Sequence, residues 1–583
     1  MAPSETQQFA EVIPVRRTPF GIDRFDYALP NTSDYQIGQL VSVPLRGHAT
    51  EALIQHMKKT SPYAKQVKAV HGPLAFAETF PPATLELLSW VAERTFSSLP
   101  TVLHAWLGDL PKRFPQIDGQ ATTLVKKSAD KQGQASAHWQ VDHEQALLLR
   151  AKQALNDGQR VLILTPWTNR ITSFMEALST ALPLHGDLAS GSYFKHWSAF
   201  LTGQTNCLVA TRMGAWLSSI ADLVLIDEPE NDDHKQDEQA PRYDARRIAS
   251  WSAKYAGTIV EAFGLTPPLH AGAIAPDINA NLIVNVFHPK GRSAIPCLQA
   301  DSLLTIHEEA DRPITIIHPI RGRAARLTCR DCGWQAPCEH CGAPLSANDD
   351  MAICRNCGKK QALPLSCPHC GSVDLGKAMP GIETLKKAWA KSEPTLSVDW
   401  RDTTNEHLER PFAQRALVVV TLSQLFGGLA EDIRHTERRL IAFRRLLNRV
   451  RAIDGLLIIQ SNEQDLALWE AWKTGAGVQA TYTTELTTRQ VFRYPPTWRR
   501  VKCLIDGNEA TVSSWIAHAK LRLAGQGEVE SPSKISFRRP GSSERYIVHL
   551  LFSPEVSEAQ LVTLLNPLAK GALIDLDPIA FFK

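Results

Sequence analysis

An excess of charge of either sign is missing from this 583-residue chain: 63 Lys and Arg stand against 60 Asp and Glu, leaving a net charge of +3. Bulk charge therefore marks no nucleic-acid or membrane-surface partner, and any basic surface has to be local. No apolar run approaches the roughly 18 residues needed to span a bilayer, and the opening stretch MAPSETQQFAEVIPVRR has no secretory pattern. No membrane partner is expected, and the cytoplasm is the expected compartment. A phosphate-cradling loop of the form G-x-x-x-x-G-K-[ST] is also missing. Its glycines would let successive backbone N–H groups surround phosphates, its Lys would reach the β- and γ-phosphates, and its hydroxyl would hold Mg²⁺. Cysteine is scarce outside one block, with only Cys207, Cys297 and Cys503 standing alone.

The other eight of the 11 cysteines fall in four C-x-x-C pairs: Cys329/Cys332, Cys338/Cys341, Cys354/Cys357 and Cys367/Cys370. A glycine directly follows the second member of every pair, as tight knuckles require. Two such pairs complete the tetrahedral sulfur shell that Zn²⁺ prefers, at about 2.3 Å per bond. Eight thiolates imply two zinc ions per chain, both structural, because no coordination position is left open. A disulfide framework is the bland alternative, and it belongs to secreted chains. Spacing alone leaves the pairing of the pairs open.

A chain of 583 residues is too long for one core, and about three to five domains is the prior. Short β-branched runs alternate with helical stretches in two sets, RVLILTP (160–166), NCLVATR (206–212), DLVLIDE (222–228) and GTIVEAFG (257–264), then ITIIHP (314–319), LSVDW (396–400), RALVVVTL (415–422) and GLLIIQS (455–461). The fold class is α/β multidomain with two parallel-sheet lobes. The expected boundaries are a β-rich domain at 1–112 with a helix near 83–98, a polar linker at 113–138, lobe 1 at 139–285, lobe 2 at 286–478 with the cysteine insertion at 328–372, and an α+β domain at 479–583.

The order of the cysteine pairs inside the second lobe resembles the PriA (primosomal protein N′) family of replication-restart DNA helicases of superfamily 2. IDEPENDDHKQDEQAPRYDARRIA (226–249) is similar to that family's second helicase motif with its K-Q, P-R-Y and A-R elements. LHGDLASGSYFKHWSAFLTG (184–203), VATR (209–212), RFDYALP (24–30), GQLVSVP (38–44) and the closing LIDLDPIAFF (573–582) are similar as well. The resemblance implies RecA-like lobes and an N-terminal domain that captures a DNA 3′ end, with Phe25, Asp26 and Lys68 on the nucleotide. It also implies interleaved zinc sites, Cys329, Cys332, Cys367 and Cys370 around one ion and Cys338, Cys341, Cys354 and Cys357 around the other. Implied partners are forked or branched DNA, single-stranded DNA, and primosome or replisome proteins including single-strand-binding protein, for a monomer associated with the nucleoid.

Departures from the family pattern decide the expected activity. WQVDHEQ (139–145) stands where the family places its phosphate loop, with His143 near the lysine position and Glu144 near the hydroxyl position. A carboxylate there would repel triphosphate. Asp227 and Glu228 keep the acid pair that would hold Mg²⁺ and orient water, and their bland reading is a relic strand end facing water beside a solvated acidic loop. The segments FGLTPP (263–268), VTLSQLFGG (420–428) and LLNRVRA (446–452) depart from the family's later motifs, and 113–138 is too short for its winged helix. The chain thus resembles the helicase-deficient branch of the family, of the kind associated with actinobacteria.

On a helix from about Ile433 to Arg451, Arg434, Arg438, Arg445 and Arg449 fall within an arc of about 60° at ~100° per residue. That stripe reads either as a phosphate-binding face or as an ordinary solvated one. Three functions follow: a zinc-containing restart scaffold without ATP-driven unwinding, an ATP-dependent 3′–5′ helicase with an atypical nucleotide site, or a zinc-ribbon module acting on RNA or transcription machinery.

Overall fold

The computed structural model describes residues 8–30, 35–74, 79–108, 133–286, 293–320, 325–329, 334, 336–339, 345–347, 351–354, 359–378, 381–402, 409–422, 426, 433–461, 466–535 and 544–581. The first sheet is antiparallel, with β1 (Gln8–Pro14), β2 (Phe25–Leu29), β3 (Leu40–Leu45), β4 (His48–Lys58) and β5 (Gly72–Pro73) in the order β2-β1-β4-β3-β5. It is followed by α1 (Pro82–Arg94) and α2 (Leu99–Leu107). The β3–β4 turn sets Arg46 at φ 51° and Gly47 at φ 84°, so an arginine here carries a left-handed conformation that favours glycine.

Lobe 1 contains β6 (Ala135–Trp139), α3 (His143–Asn156), β7 (Val161–Leu164), α4 (Thr168–Ala177), β8 (Leu182–Leu184), α5 (Ser190–Leu201), β9 (Cys207–Ala210), β10 (Leu223–Asp227), α6 (Ala245–Ala256) and β11 (Ile259–Gly264). Its six strands are parallel in the order β6-β11-β10-β7-β9-β8. VLIL, CLVA and LVLID are buried throughout, the continuous apolar runs of strands covered on both faces. The helices α1 and α2 do not stand apart from this lobe. Phe80, Trp106, Phe194 and Trp197 form one aromatic cluster, with Trp106 and Trp197 centroids 6.0 Å apart, inside a core that runs from Ile13 to Ala262.

Lobe 2 holds β12 (Asn281–Val286), α7 (Ala300–Glu308) and β13 (Ile314–Ile317). The cysteine module follows as a five-stranded antiparallel sheet, β14 (Ala325–Cys329), β15 (Ser346–Ala347), β16 (Ala352–Ile353), β17 (Lys360–Gln361) and β18 (Leu375–Ala378). The lobe resumes with α8 (Ile382–Ser392), β19 (Val398–Arg401), β20 (Leu417–Val420), α9 (His435–Arg451), β21 (Leu456–Ser461), α10 (Leu466–Ala471) and α11 (Gly475–Val491). Its parallel sheet runs β12-β21-β20-β13-β19. The last domain, β22 (Arg499–Asp506), α12 (Glu509–Arg522), β23 (Glu528–Val529), β24 (Ser533–Lys534), β25 (Arg545–Phe552), α13 (Glu558–Leu565) and β26 (Leu573–Asp575), is an antiparallel sheet covered by two helices. Among the described residues no helix is long and apolar enough to cross a membrane.

Three boundaries move from those read in the sequence. Residues 135–138, expected in the linker 113–138, belong to β6, an exposed edge strand of lobe 1. Residues 281–286, assigned to lobe 1, are β12 of the lobe 2 sheet, and Leu265, Leu269 and Ile278 already pack in the lobe 2 core. Residues 479–491, assigned to the last domain, continue α11, whose Val478 and Tyr482 fill that same core.

Candidate functional site

In parallel α/β sheets, ligands meet the carboxyl ends of the strands where crossover direction reverses. β7 and β10 adjoin at such a point in lobe 1, which puts Thr165 and Asp227 side by side. The Thr165 hydroxyl donates to Asp227 Oδ2 at 2.9 Å. Arg170, from the first turn of α4, donates to both Asp227 oxygens, Nε to Oδ2 at 2.7 Å and Nη2 to Oδ1 at 2.8 Å. It also reaches Glu144 at 3.2 Å. Asp227 is completely buried and Glu228 nearly so, at 0% and 6% exposure, which corrects the reading of a relic strand end in water.

Glu228 holds φ 49° and faces Arg445 of α9, with Nε 3.4 Å from Oε1. Burial alone would raise the Glu228 carboxyl, but Arg445 and Arg170 overcome it and hold it down at about 2. Glu230 goes the other way, pushed up to about 7 by burial and by the neighbouring Glu228. Its Oε1 accepts from the Leu265 and Thr266 amides at 3.1 and 3.3 Å. The acidic loop is buried in its middle, at His234, Lys235 and Gln236, and solvated at Glu238.

A nucleotide with its magnesium does not fit these residues. His143 is buried at the start of α3 and no glycine precedes it there to open a cradle. Both Asp227 oxygens are already taken by a guanidinium and a hydroxyl. Sequence reasoning missed Arg170, because a single Arg after T-P-W-T-N carries no spacing signal.

The arginine stripe exists, and it faces neither open surface nor bulk water. Leu440, Phe443 and Leu447 of α9 are fully buried in the lobe 2 core. Arg434 Nη1 and Arg438 Nε donate to the two oxygens of Asp232 in lobe 1 at 2.7 and 2.9 Å. Burial opposes ionisation of Asp232, yet Arg434 and Arg438 hold it below the usual carboxylate range. Arg445 lies 3.8 Å above the Trp167 ring and bonds Glu409 at 2.6 Å, and Arg449 donates to the carbonyls of Glu409 and Arg410. The period of the pattern was right and its direction was not legible, because helical spacing does not say what lies opposite.

In the cysteine module, Cys329 ends β14 while Cys367 and Cys370 sit on the turn before β18, which pairs with β14. The sulfurs of Cys329, Cys367 and Cys370 lie within 4.8 Å of one another, and Cys329 Sγ is 3.6 Å from Cys370 Sγ. Four sulfurs around one zinc at about 2.3 Å stand about 3.8 Å apart. The three thiols therefore fit one metal, and the spacing is far too long for a disulfide. The knuckles close through backbone bonds, Cys329 N to Trp334 O at 2.7 Å, Cys367 N to Ser372 O at 2.7 Å and Cys354 N to Lys359 O at 2.9 Å. Cys338 and Cys354 are buried together in a second small cluster with Leu345 and Ala352. Cys332, Cys341 and Cys357 lie outside the described residues.

At the N-terminal domain, Phe25 and Asp26 sit on the edge strand β2, opposite Val12 and Glu11 of β1. Asp26 bonds Lys58 at 3.2 Å and accepts from the Ser61 hydroxyl at 2.6 Å. The segment carrying Lys68 runs along the free side of β2, where the Ala28 amide donates to the Lys68 carbonyl at 2.9 Å. The three residues are thus brought to one sheet edge.

Residues 15–108, spanning this edge with α1 and α2, match the family model described as the 3′DNA-binding domain. Replication restart proteins PriA align with large parts of the chain. The chain is 25% identical to that of Chlamydia pneumoniae over 423 residues, 62% of this chain and 56% of the relative. It is 24% identical to the probable PriA of Deinococcus radiodurans over 493 residues, 74% and 53%, and 24% identical to that of Haemophilus influenzae over 271 residues, 42% and 37%. These comparisons support a PriA-type replication restart protein. Alignment spans 37% to 56% of the length of these relatives. Two landmarks of the PriA resemblance, 340 residues apart, meet in the fold: Lys235 of the K-Q element bonds Asp575 of the closing segment at 2.6 Å, both side chains 2% exposed.

Proposed function

We propose that this chain is a DNA-binding replication-restart scaffold that works without ATP-driven unwinding. It recognises forked or branched DNA carrying a free 3′ end, presents that DNA to replisome proteins including single-strand-binding protein, and keeps its surface shaped by two structural zincs. Its lobes are of the superfamily 2 helicase type, and it acts in the cytoplasm as a monomer. The observation that carries this reading is the two-pronged hold of Arg170 on Asp227, which leaves the acid pair no valence for a nucleotide's cation. Support for the DNA end comes from the edge of β2, where a Phe face could stack a terminal base and Lys68 is exposed. Three thiols at zinc-like spacing support the metal.

One preparation tests the reading. Binding to a fork with a free 3′ end is expected to exceed binding to a fork whose end is blocked, and Phe25→Ala is expected to erase the difference. ATP turnover in the same buffer is expected to stay at the level of Asp227→Ala. Turnover that disappears in Asp227→Ala would instead restore a motor.

A further inference from the structure

Five arginines cross from one lobe toward the carboxylates of the other or fill the strand end between them. Asp227 is wholly buried, and a carboxylate at that depth has to be neutralised by something. Arg170 does so with two parallel bonds of 2.7 and 2.8 Å, the planar geometry that makes guanidinium–carboxylate pairs strong and directional. Lobe 2 then supplies the counter-charges for what remains: Arg445 for Glu228, Arg434 and Arg438 for Asp232, and Arg451 for Asp142 at 2.6 Å. Uncharged bonds follow the same seam, Asn448 Nδ2 to the Val141 carbonyl at 2.8 Å and the Leu269 amide to Glu437 at 3.1 Å. The closing segment lies over it, with Arg438 donating to the Ile579 carbonyl and Lys502 to that of Ala580 at 2.8 Å.

We propose that Arg170 is a built-in counter-cation standing in for a nucleotide's Mg²⁺, and that with Arg434, Arg438 and Arg445 it locks the two lobes in one nucleotide-independent arrangement. A ligand shifts an equilibrium only by binding one state better than the other. Here the carboxylates that a nucleotide's metal would join are already satisfied from within the chain, so closure is permanent. The inference rests on the reading of lost turnover and goes beyond it, because a body without turnover could still have swinging lobes.

The test uses the full chain with spin labels on bioorthogonal residues at Asn156 in lobe 1 and Ser392 in lobe 2, both exposed. The wild type is expected to give one narrow inter-lobe distance distribution, unchanged by millimolar Mg·ATP or Mg·ADP. Arg434→Ala/Arg438→Ala/Arg445→Ala is expected to broaden it at least twofold in width. A distance that moves with nucleotide, or a triple variant as narrow as the wild type, overturns the lock. Mn²⁺ titration followed by its paramagnetic signal tests the counter-cation separately. Arg170→Ala should gain one bound Mn²⁺ over the wild type and lose it again in Arg170→Ala/Asp227→Asn, while Arg170→Lys should gain none. Equal Mn²⁺ uptake in all four proteins overturns that half. Turnover measured alongside separates the two ideas: activity with an unmoved distance sinks the lost motor alone, and movement without activity sinks the lock alone.

Discussion

Replacing Lys235 by Ala should undock the closing segment from lobe 1. The Lys235 ammonium lies 2.6 Å from Asp575 Oδ1 and 2.8 Å from the Asp577 carbonyl, with both side chains of the ion pair 2% exposed. Removing one partner of a buried ion pair typically costs about 3–5 kcal/mol, because the other charge stays buried. Arg242 remains 3.6 Å from Asp575 Oδ2 and offsets part of this, which points to the lower end, about 3 kcal/mol. That is roughly a 150-fold increase in the fraction of open segment, at 1.4 kcal/mol per tenfold. The last domain has its own core around Val501, Val548, Leu561 and Ile574, so it should stay folded while it lets go. Hydrogen exchange of the lobe 1 stretch 232–243 in the native protein, where the Gln236 amide donates to the Tyr243 carbonyl, reads that opening, while the β26 amides stay protected on β22. The double variant Lys235→Met/Asp575→Leu removes both charges and should fall within about 1 kcal/mol of the wild type. An exchange rate in Lys235→Ala within threefold of the wild type, or a double variant as open as the single one, would refute the role given to this pair.

Glu230 gives a pH dependence of definite sign. Its folded-state carboxyl titrates at about 7 against an ordinary 4.5, so the native state binds the extra proton between those values and stability falls as pH rises from about 4.5 to about 7. The loss is on the order of 3 kcal/mol, and Glu230→Gln should flatten it in urea unfolding of the lobes; an unchanged slope excludes Glu230 as the cause. Glu228, held at about 2, contributes the opposite slope, stability lost as pH falls from about 4.5 toward 2. Cys329→Ser should release one of two zincs per chain on atomic emission, since Cys329 clusters with Cys367 and Cys370 and not with the buried Cys338 and Cys354. Loss of both ions together would point to a shared site.

The central strands were legible because burial on both faces leaves no polar alternation to confuse them: VLIL, CLVA and LVVV are buried at every position. What escaped was set by tertiary context. In β6 the residues Ala-Ser-Ala-His are exposed, so an edge strand looks like a polar linker. The helix α11 is rich in threonine, whose hydroxyls at 481, 483, 484, 487 and 488 bond the carbonyls four residues back, and it reads as a loop until Val478 and Tyr482 are seen in the lobe 2 core. Spacing marked the cysteine block as metal-ligating in pattern without saying which pairs meet, and the antiparallel pairing of β14 with β18 is what brings Cys329 to Cys367 and Cys370.

The acid pair is the place where a helicase-like motif and a lost phosphate loop have to be reconciled. If Asp227 and Glu228 faced water with nothing to bind, replacing either would be nearly neutral. At 0% and 6% exposure they are instead the anionic half of a seam whose cationic half is Arg170 and Arg445. Such a seam can only change as a unit, because an Arg170 left without Asp227 is as costly as the reverse. The pair therefore has a structural reason to be present that does not depend on nucleotide, and the same reason explains the arginine stripe of α9. Cations that would otherwise have been available to phosphates are held by Asp232, Glu228 and Glu409, so the α9 stripe offers phosphates little free charge, and the proposed DNA contact rests on the edge of β2.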